Sequence, residues 1–509
     1  MKQTYTVNFE KMVYGGDCMG RLPDGRAVFV PFVLPRETAE IGLTESKERY
    51  ARGKLIKLIQ SSPERVQPPC PYFTQCGGCH YQHIDYTQQL ALKKELLQDQ
   101  LERIGKFTEL PEINITPSPL PFACRNQVQF HPAPIADPEK LTLGFKKAGS
   151  DETIPITNCL LISEEMNQLL SQIELEPDGG IQRVVLREDS TGEQMIVLEG
   201  EDEVPPDLTF ELPISAAYAS PSGEVFSLSG NNALLYEIEN KEFYVSPQSF
   251  FQVNLPVATM MVRHILEQLK GKKDLRILEL YSGVGLFTRF IAPFASELIA
   301  IESSPSACFN FADNLDEFDN ISLYEGPVEA ILPNLIDDIK PIDLVLLDPP
   351  RAGLNAKARQ ALINLNLSQI IYISCDPSTL ARDLKHLAEA GYAITTLHAY
   401  DMFPQTKHVE TCAYLSKLKS SKHIKVNLEL EDLDVTKAES KPTYEEIKKY
   451  VMESDGIKVS TLNIAQMKRK LRLIERKNYN FGNGKTKQPP LTAKKEMAIE
   501  DAFVFFNLL

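Results

Sequence analysis

Short runs of alternating apolar and polar residues fill the first sixty positions. Tyr5, Val7 and Phe9 alternate with polar neighbours, Gly15-Gly16 and Pro23-Asp24-Gly25 are turn signals, and Ala27–Val30 and Arg52–Ile59 come next. So many short strands in so few residues predict a small β-barrel. A cysteine cluster opens at Cys70, and apolar positions at helical spacing predict a helix over Tyr86–Ile104. Residues 110–240 read as mixed strands broken by Pro and Gly. From about residue 274 apolar runs at Leu275–Leu280, Leu298–Ile301, Leu344–Leu347 and Ile370–Ile373 alternate with helical stretches. That alternation predicts a parallel sheet covered by helices on both faces. Residues 417–440 are polar and charged, as in a linker. Beyond them Thr443-x-x-Glu446 forms a capping box and Gly456 a helix stop. Ile464, Met467, Leu471 and Ile474 then recur at helical spacing, with Lys468, Arg469, Lys470, Arg472 and Arg476 on a cationic face. The divisions expected are 1–62, 63–245, 246–417, a linker at 418–440, and a basic helical extension at 441–509.

A chain of 509 residues with 43% apolar content exceeds one core. No apolar run reaches the ~20 residues that span a bilayer, so no membrane partner is expected. The first residues lack a basic stretch followed by an apolar one, which points to the cytoplasm. Nine cysteines in a reducing compartment argue for metal ligation or catalysis before disulfides. The net charge of −15 disfavours a nucleic-acid partner, but it is unevenly spread. Residues 164–211 hold fourteen acidic and two basic side chains, whereas residues 436–496 hold fifteen basic and seven acidic ones. Local fields govern partner choice more than the total does, so a nucleic-acid partner stays open.

The first run of the α/β region ends in Tyr281-Ser282-Gly283-Val284-Gly285-Leu286-Phe287, a glycine turn leading into a helix. Two glycines let backbone approach a ligand closely. The third glycine of a dinucleotide fingerprint is replaced by Thr288, which disfavours a pyrophosphate and favours S-adenosyl-L-methionine. Glu302, about twenty residues on, ends the second run, where an acid can accept both ribose hydroxyls. The alternative is an ordinary glycine turn. The third run ends in Asp348-Pro349-Pro350-Arg351 and the fourth in Ser374-Cys375-Asp376-Pro377. Open α/β sheets place ligands at such strand ends. Arg351 stands where adenine amino methyltransferases carry a stacking aromatic, so an exocyclic amine target is disfavoured. A cysteine has a clear use on uracil. C5 is a poor nucleophile until a thiolate adds to C6, and a base must afterwards remove the C5 proton. Cys375 is the candidate thiol and Glu410, in His408-Val409-Glu410, the candidate base; a structural cysteine and a strand-side carboxylate are the plainer alternatives.

These motifs, together with the Cys70 cluster and Phe250-Phe251-Gln252-Val253-Asn254, resemble those of the bacterial RNA uracil-C5 methyltransferases, particularly the iron–sulfur 23S rRNA type, over roughly residues 1–417. The resemblance implies that Gln252, Tyr281, Glu302 and Asp348 contact S-adenosyl-L-methionine, that Cys375 is the nucleophile and that Glu410 is the base. It implies a multidomain α/β fold: an N-terminal OB-type β-barrel (TRAM) that binds RNA, an α+β iron–sulfur and RNA-recognition domain, a Rossmann-like class I methyltransferase domain and the small helical C-terminal extension. Leu286 departs from the Asn common in the family at that position. The implied substrate is 23S rRNA. The same reaction on tRNA and a non-catalytic RNA-binding or ribosome assembly factor are the alternatives, and no obligate protein partner is implied.

Cys70-x5-Cys76-x2-Cys79 supplies three thiolates. Cys76-Gly-Gly-Cys79-His80 is formally a c-type haem attachment sequence, and zinc could take the three thiolates with His80 or His83. A [4Fe-4S] cluster needs a fourth thiolate. In the family that ligand comes after a stretch matching Gly144-Phe145-Lys146-Lys147-Ala148-Gly149, which carries the role to Cys159, with Cys124 as its rival. Such a cluster is expected to organise the RNA-binding domain rather than to perform redox chemistry.

Overall fold

The computed structural model describes residues 4–137, 139–176, 179–206, 214–339, 341–418, 444–459, 463–464, 467 and 493–505. Strands β1 (Thr4–Met12), β2 (Asp17–Arg21), β3 (Ala27–Pro31), β4 (Thr38–Ser46) and β5 (Tyr50–Gln60) close into a barrel in the order β1-β2-β3-β5-β4. The alternation read from the sequence is its inside–outside pattern: Val7, Phe9, Val28, Val30 and Ile41 fill the lumen. At Gly20 a Cβ would lie 2.5 Å from Val7 Cγ1, so only glycine lets β1 and β2 pack this closely. The buried Glu37 carboxylate ties the barrel to the segment that leads out of it. It accepts from the Leu34 and Ser62 amides and, at 2.6 and 2.7 Å, from the Arg65 guanidinium.

Helix α1 (Tyr86–Arg103) matches the expected helix, with Asp85 accepting from the Thr87 amide as its N-cap. The chain then makes a short strand, β6 (Ile113–Thr116), before entering a separate sheet. That sheet holds β7 (Gln127–Pro134), β8 (Leu141–Lys146), β9 (Thr153–Pro155), β10 (Ile181–Glu188), β11 (Gln194–Gly200), β12 (Ser215–Ala219) and β13 (Val225–Ser229), in the order β13-β12-β11-β10-β7-β8-β9. Helix α2 (Glu164–Leu170) packs on one face through Met166, Leu169 and Leu170. The hairpin β14 (Leu234–Ile238) and β15 (Lys241–Val245) shares its core with α3 (Leu255–Leu269) of the C-terminal half. Within residues 63–245, β6 pairs with a strand near residue 400 and the hairpin packs on α3.

The C-terminal sheet contains β16 (Leu275–Leu280), β17 (Ala295–Glu302), β18 (Ile321–Glu325), β19 (Leu344–Leu347), β20 (Gln369–Ser374), β21 (Tyr392–Tyr400) and β22 (Glu410–Lys417), with β6 on its edge. The order is β18-β17-β16-β19-β20-β22-β21-β6, and β22 runs antiparallel to both neighbours. The four apolar runs are β16, β17, β19 and β20, whose side chains are buried on both faces. Helices α4 (Leu286–Ile291), α5 (Pro305–Asn314), α6 (Val328–Ile339), α7 (Ala356–Asn364) and α8 (Pro377–Glu389) connect the strands and complete two cores, one per sheet face. No described helix is long and apolar enough to cross a membrane.

In the extension, α9 (Tyr444–Asp455) and α10 (Ala493–Phe505) bury Ile447, Val451, Ile499 and Ala502 together with Ile464 and Met467. Gly456 comes directly after α9 with φ +65°, the left-handed geometry of a helix stop. Thr443 of the capping box, Leu471, Ile474 and the cationic positions Lys468–Arg476 lie outside the described residues.

One buried ion pair joins α1 to the chain that enters β22. Lys93 Nζ and Asp401 Oδ1 stand 2.5 Å apart, and neither side chain is exposed. Lys93 also donates to the Phe403 carbonyl, and Tyr86 donates its hydroxyl to Asp401 Oδ2. Removing one partner of such a pair leaves a buried charge uncompensated. Lys93→Met should therefore cost about 3–5 kcal/mol in urea unfolding, whereas replacing the exposed Lys140 of the Lys140–Glu174 pair should leave the unfolding midpoint near wild type.

Candidate active site

The glycine turn closes over the end of β16. Gly285 caps α4 with φ +90°, and a Cβ there would lie 2.6 Å from Leu315 Cδ1. At Gly283, by contrast, a Cβ would meet nothing within 4 Å, so the space above the turn is open. Glu302 at the end of β17 is held beside that space. Its Oε2 accepts from the Gly283 amide at 2.9 Å, and its Oε1 accepts from the Ser303 and Ser304 amides at 2.7 Å each. Oε2 has a further lone pair to offer. Tyr281, at φ +62°, donates its amide to the Ile301 carbonyl and is half-buried. Behind the turn Thr288 donates its hydroxyl to the buried Glu279 at 2.6 Å. Burial raises the Glu279 carboxyl to about 8, against the hydrogen bond from Thr288.

The second half of the site begins at Asp348, whose amide donates to the Leu280 carbonyl and so joins the two halves. In the antiparallel ladder of β20 and β22, Ser374 pairs with Thr411, which sets Cys375 and Glu410 next to each other at the sheet's end. Cys375 lies between β20 and the N-terminus of α8, where Asp376 caps the helix by accepting from the Ser378 and Thr379 amides. The helix dipole favours a thiolate there. Burial acts in the other direction and, with the nearby Glu410 and Asp348 carboxylates, pushes the thiol up to about 12. Burial likewise raises Asp348 to about 7. It raises Glu410 well above the carboxylate range, with Asp348 adding to the effect and Arg351 opposing it. Two neighbouring acids that are hard to ionise, a thiol and one guanidinium are a set able to accept and return protons.

Of the sequence-predicted residues, Tyr281 and Glu302 gather at the glycine turn, and Asp348, Cys375 and Glu410 gather at the strand ends. Gln252 stands on the segment leading into α3, which is fixed by Asn126 donating to the Gln252 carbonyl and by the Asn254 side chain capping α3. Sequence reasoning passed through Glu279, Thr288 and Asp376 without seeing the hydrogen bonds they make. Asp376 carried a readable signal, an Asp directly before a proline at the first turn of a helix.

Cys70, Cys76, Cys79 and Cys159 form a second group. The β8–β9 hairpin brings the cysteine loop together: the Gly77 amide donates to the Lys146 carbonyl, and the Ala148 amide to the Gln75 carbonyl. The Gly78 amide donates to Cys76 Sγ at 3.3 Å, and Asn167 receives the Cys159 amide. Burial first, then the charges of Cys159 and Cys70, push the Cys76 thiol up to about 11. Burial also raises Cys79 to about 12, with Cys159 and Cys76 adding to it. Among the described residues no three His, Cys, Asp or Glu side chains converge where a single metal ion could be held. The zinc alternative, three of these thiols with His80 or His83, therefore has no single point of convergence among the described residues. His83 is buried with neither ring nitrogen hydrogen-bonded, and burial lowers it to about 3. The cysteine loop reaches the active site, since the His80 and Tyr81 amides both donate to the Gln405 carbonyl and the His80 ring stands 6.3 Å from that of His408.

Residues 233–418 match the family described as tRNA (uracil-5-)-methyltransferase, and residues 2–56 match the TRAM domain. An RNA methyltransferase of Aquifex aeolicus, described as uncharacterized, is 32% identical over 80% of this chain and 97% of its own length. A second from Thermotoga maritima is 31% identical over 81% of this chain and 98% of its own. Among solved structures, the tRNA (uracil-54, C5)-methyltransferase of Pyrococcus abyssi, in complex with S-adenosyl-L-homocysteine, is 28% identical with a TM-score of 0.63 and covers 81% of this chain and 100% of that one.

The thiol's raised pKa has a measurable sign. An ordinary cysteine, which titrates near 9.0, is largely thiolate above about pH 10. Alkylation of Cys375 by iodoacetamide, read on its own peptide by mass spectrometry, should keep rising about tenfold per unit from pH 7 to 10 without levelling. A plateau near pH 7 would mean that the helix dipole outweighs burial and the two carboxylates.

Proposed function

The chain belongs to the RNA (uracil-5-)-methyltransferase family, and from that premise we propose that it methylates C5 of a uridine in structured 23S rRNA through a covalent bond between Cys375 and C6. The observation that carries the reading is the adjacency of Cys375 and Glu410 set by the β20–β22 register. Tyr281, Glu302, Asp348 and Gln252 are the residues that would hold S-adenosyl-L-methionine, and the open space over Gly283 beside the Glu302 carboxylate fits a nucleoside with two ribose hydroxyls. When bound, that cofactor supplies an electrophilic methyl group.

The remaining chemistry belongs to the protein. The Cys375 thiolate adds to C6, and the displaced electron pair makes C5 nucleophilic. After methylation Glu410 takes the C5 proton, the C5–C6 double bond re-forms and the thiolate leaves. The low polarity that raises Glu410 makes its carboxylate a stronger base for that step.

The same reading assigns Cys70, Cys76, Cys79 and Cys159 to a [4Fe-4S] cluster. A cluster takes one thiolate per iron, so its ligands surround it and do not converge on one point. Thiols near enough for the charge of one to oppose ionisation of Cys76, Cys79 and Cys159, with an amide donating to one sulfur, are a suitable donor set. A second reading, with tRNA as the substrate, is favoured by the Pyrococcus abyssi enzyme, whose substrate is tRNA.

Each of these assignments can be measured. Cys375→Ala should abolish 5-methyluridine formation and leave adenosylmethionine affinity within about twofold, because the thiol meets uracil. RNA containing 5-fluorouracil should trap the wild-type enzyme through Cys375, and Glu410→Gln should accumulate the methylated adduct on ordinary RNA; turnover by Cys375→Ala near the wild-type rate would remove the mechanism. Protein purified without air should hold about four irons. Cys159→Ser should lose them and Cys124→Ser should keep them, and zinc in place of iron would decide against the cluster. Mapping 5-methyluridine in rRNA and tRNA of a deletion strain separates the two substrates.

A further inference from the structure

The turn between β1 and β2 leaves the barrel and lies against both catalytic loops. Tyr14 donates its hydroxyl to Asp376 Oδ2 at 2.5 Å. The other oxygen of that carboxylate accepts from the Ser378 amide and hydroxyl and the Thr379 amide, at 2.9, 2.5 and 3.0 Å. One residue later in the turn, the Gly15 carbonyl accepts from Lys407 Nζ at 2.9 Å. Gly16 completes the contact: a Cβ there would stand 3.3 Å from Lys407 Cδ and 3.6 Å from His80 Cδ2, at φ +93°. The turn therefore bridges the loop of Cys375 and the loop of Glu410.

We propose that Tyr14 is a positioning residue for Cys375, acting through Asp376, and that the barrel turn makes assembly of the nucleophile and base depend on the seating of the RNA-binding barrel. The inference rests on the reading of Cys375 as nucleophile. Asp376 comes directly after Cys375, so its orientation fixes the peptide that carries the thiol. Its carboxylate spans the helix cap on one oxygen and the barrel on the other. Burial acts to raise that carboxyl, but the hydrogen bonds from Ser378 and Tyr14 outweigh it and hold it below its ordinary value. The carboxylate is thus charged, and the bond from Tyr14 is of the stronger, charge-assisted kind. Tyr14 itself stays protonated, because burial and Asp376 both raise its pKa. A barrel displaced from this seat releases Asp376 and the Lys407 ammonium together.

The test uses full-length protein and single-turnover trapping on 5-fluorouracil-containing RNA, read as the rate of adduct formation. Tyr14→Phe keeps the ring and removes the hydroxyl. It should slow adduct formation about tenfold to a hundredfold, the range of a charge-assisted hydrogen bond. RNA KM, adenosylmethionine affinity and melting temperature should stay near wild type. Asp376→Asn keeps a capping oxygen for α8, and in that background Tyr14→Phe should add less than about twofold. Equal slowing in both backgrounds, or a rise confined to RNA KM, would mean that Tyr14 touches the RNA and would overturn the proposal. Unchanged adduct formation in Tyr14→Phe would overturn it as well, as would a lowered melting temperature with proportional loss of cofactor binding. A wild-type enzyme that forms no adduct would overturn the assigned reaction, and this inference with it, and is recognised by failing before any variant is compared.

Discussion

The position of Glu410 depends on a charge pair that neither partner can leave. Lys93 and Asp401 are 308 residues apart in sequence and wholly removed from solvent. Desolvation of either charge alone would cost several kcal/mol, so every arrangement that keeps the core intact also keeps α1 beneath the segment entering β22. Around the pair the contacts are polar and satisfied. Gln89 bonds Gln405 in both directions, Gln405 receives two amides of the cysteine loop, and the Asp401 amide donates to Thr116 of β6. Segment 401–409 is therefore fixed on three sides before it delivers the acid to Cys375.

The end of the sheet that gathers Asp348, Cys375 and Glu410 concentrates carboxylates where solvent is scarce. Glu279, Asp348 and Glu410 all sit above their ordinary range, chiefly through burial. Asp348 and Glu410 lie close enough for the charge of one to oppose ionisation of the other, and Arg351 opposes both effects at Glu410. Like-charge coupling of this kind lets one acid stay neutral while its neighbour works as a base. The cost is borne by a rigid frame of parallel strands whose side chains are buried on both faces.

Much of this architecture is legible in the chain. Strict alternation gives away the barrel, the unbroken apolar runs give away β16, β17, β19 and β20, and the strand-end motifs hold the cysteine and the acid. Features that rest on distant pairing are not legible. β6 is four residues long, and nothing in Ile-Asn-Ile-Thr tells that it will dock beside β21. Lys93 reads as a polar position on a helix, since its partner lies beyond any local pattern. The antiparallel insertion of β22 between β20 and β21 is likewise invisible to periodicity, although it is what brings residue 410 to residue 375. Tyr14 reads as one more turn aromatic, because a hydroxyl's partner is a property of the assembled domains.

The contacts of the barrel turn also set an order of events during synthesis. The barrel closes on residues within the first sixty and can fold soon after they leave the ribosome, since domains generally fold as units from the N-terminus. Its turn then waits for residues 376 and 407, made more than three hundred positions later. Until they arrive, Lys93 lacks its counter-charge and Tyr14 lacks its carboxylate acceptor. A nascent chain thus carries its TRAM barrel long before the strand ends that gather Asp348, Cys375 and Glu410 exist, and that end of the sheet is complete only when its last strand is in place.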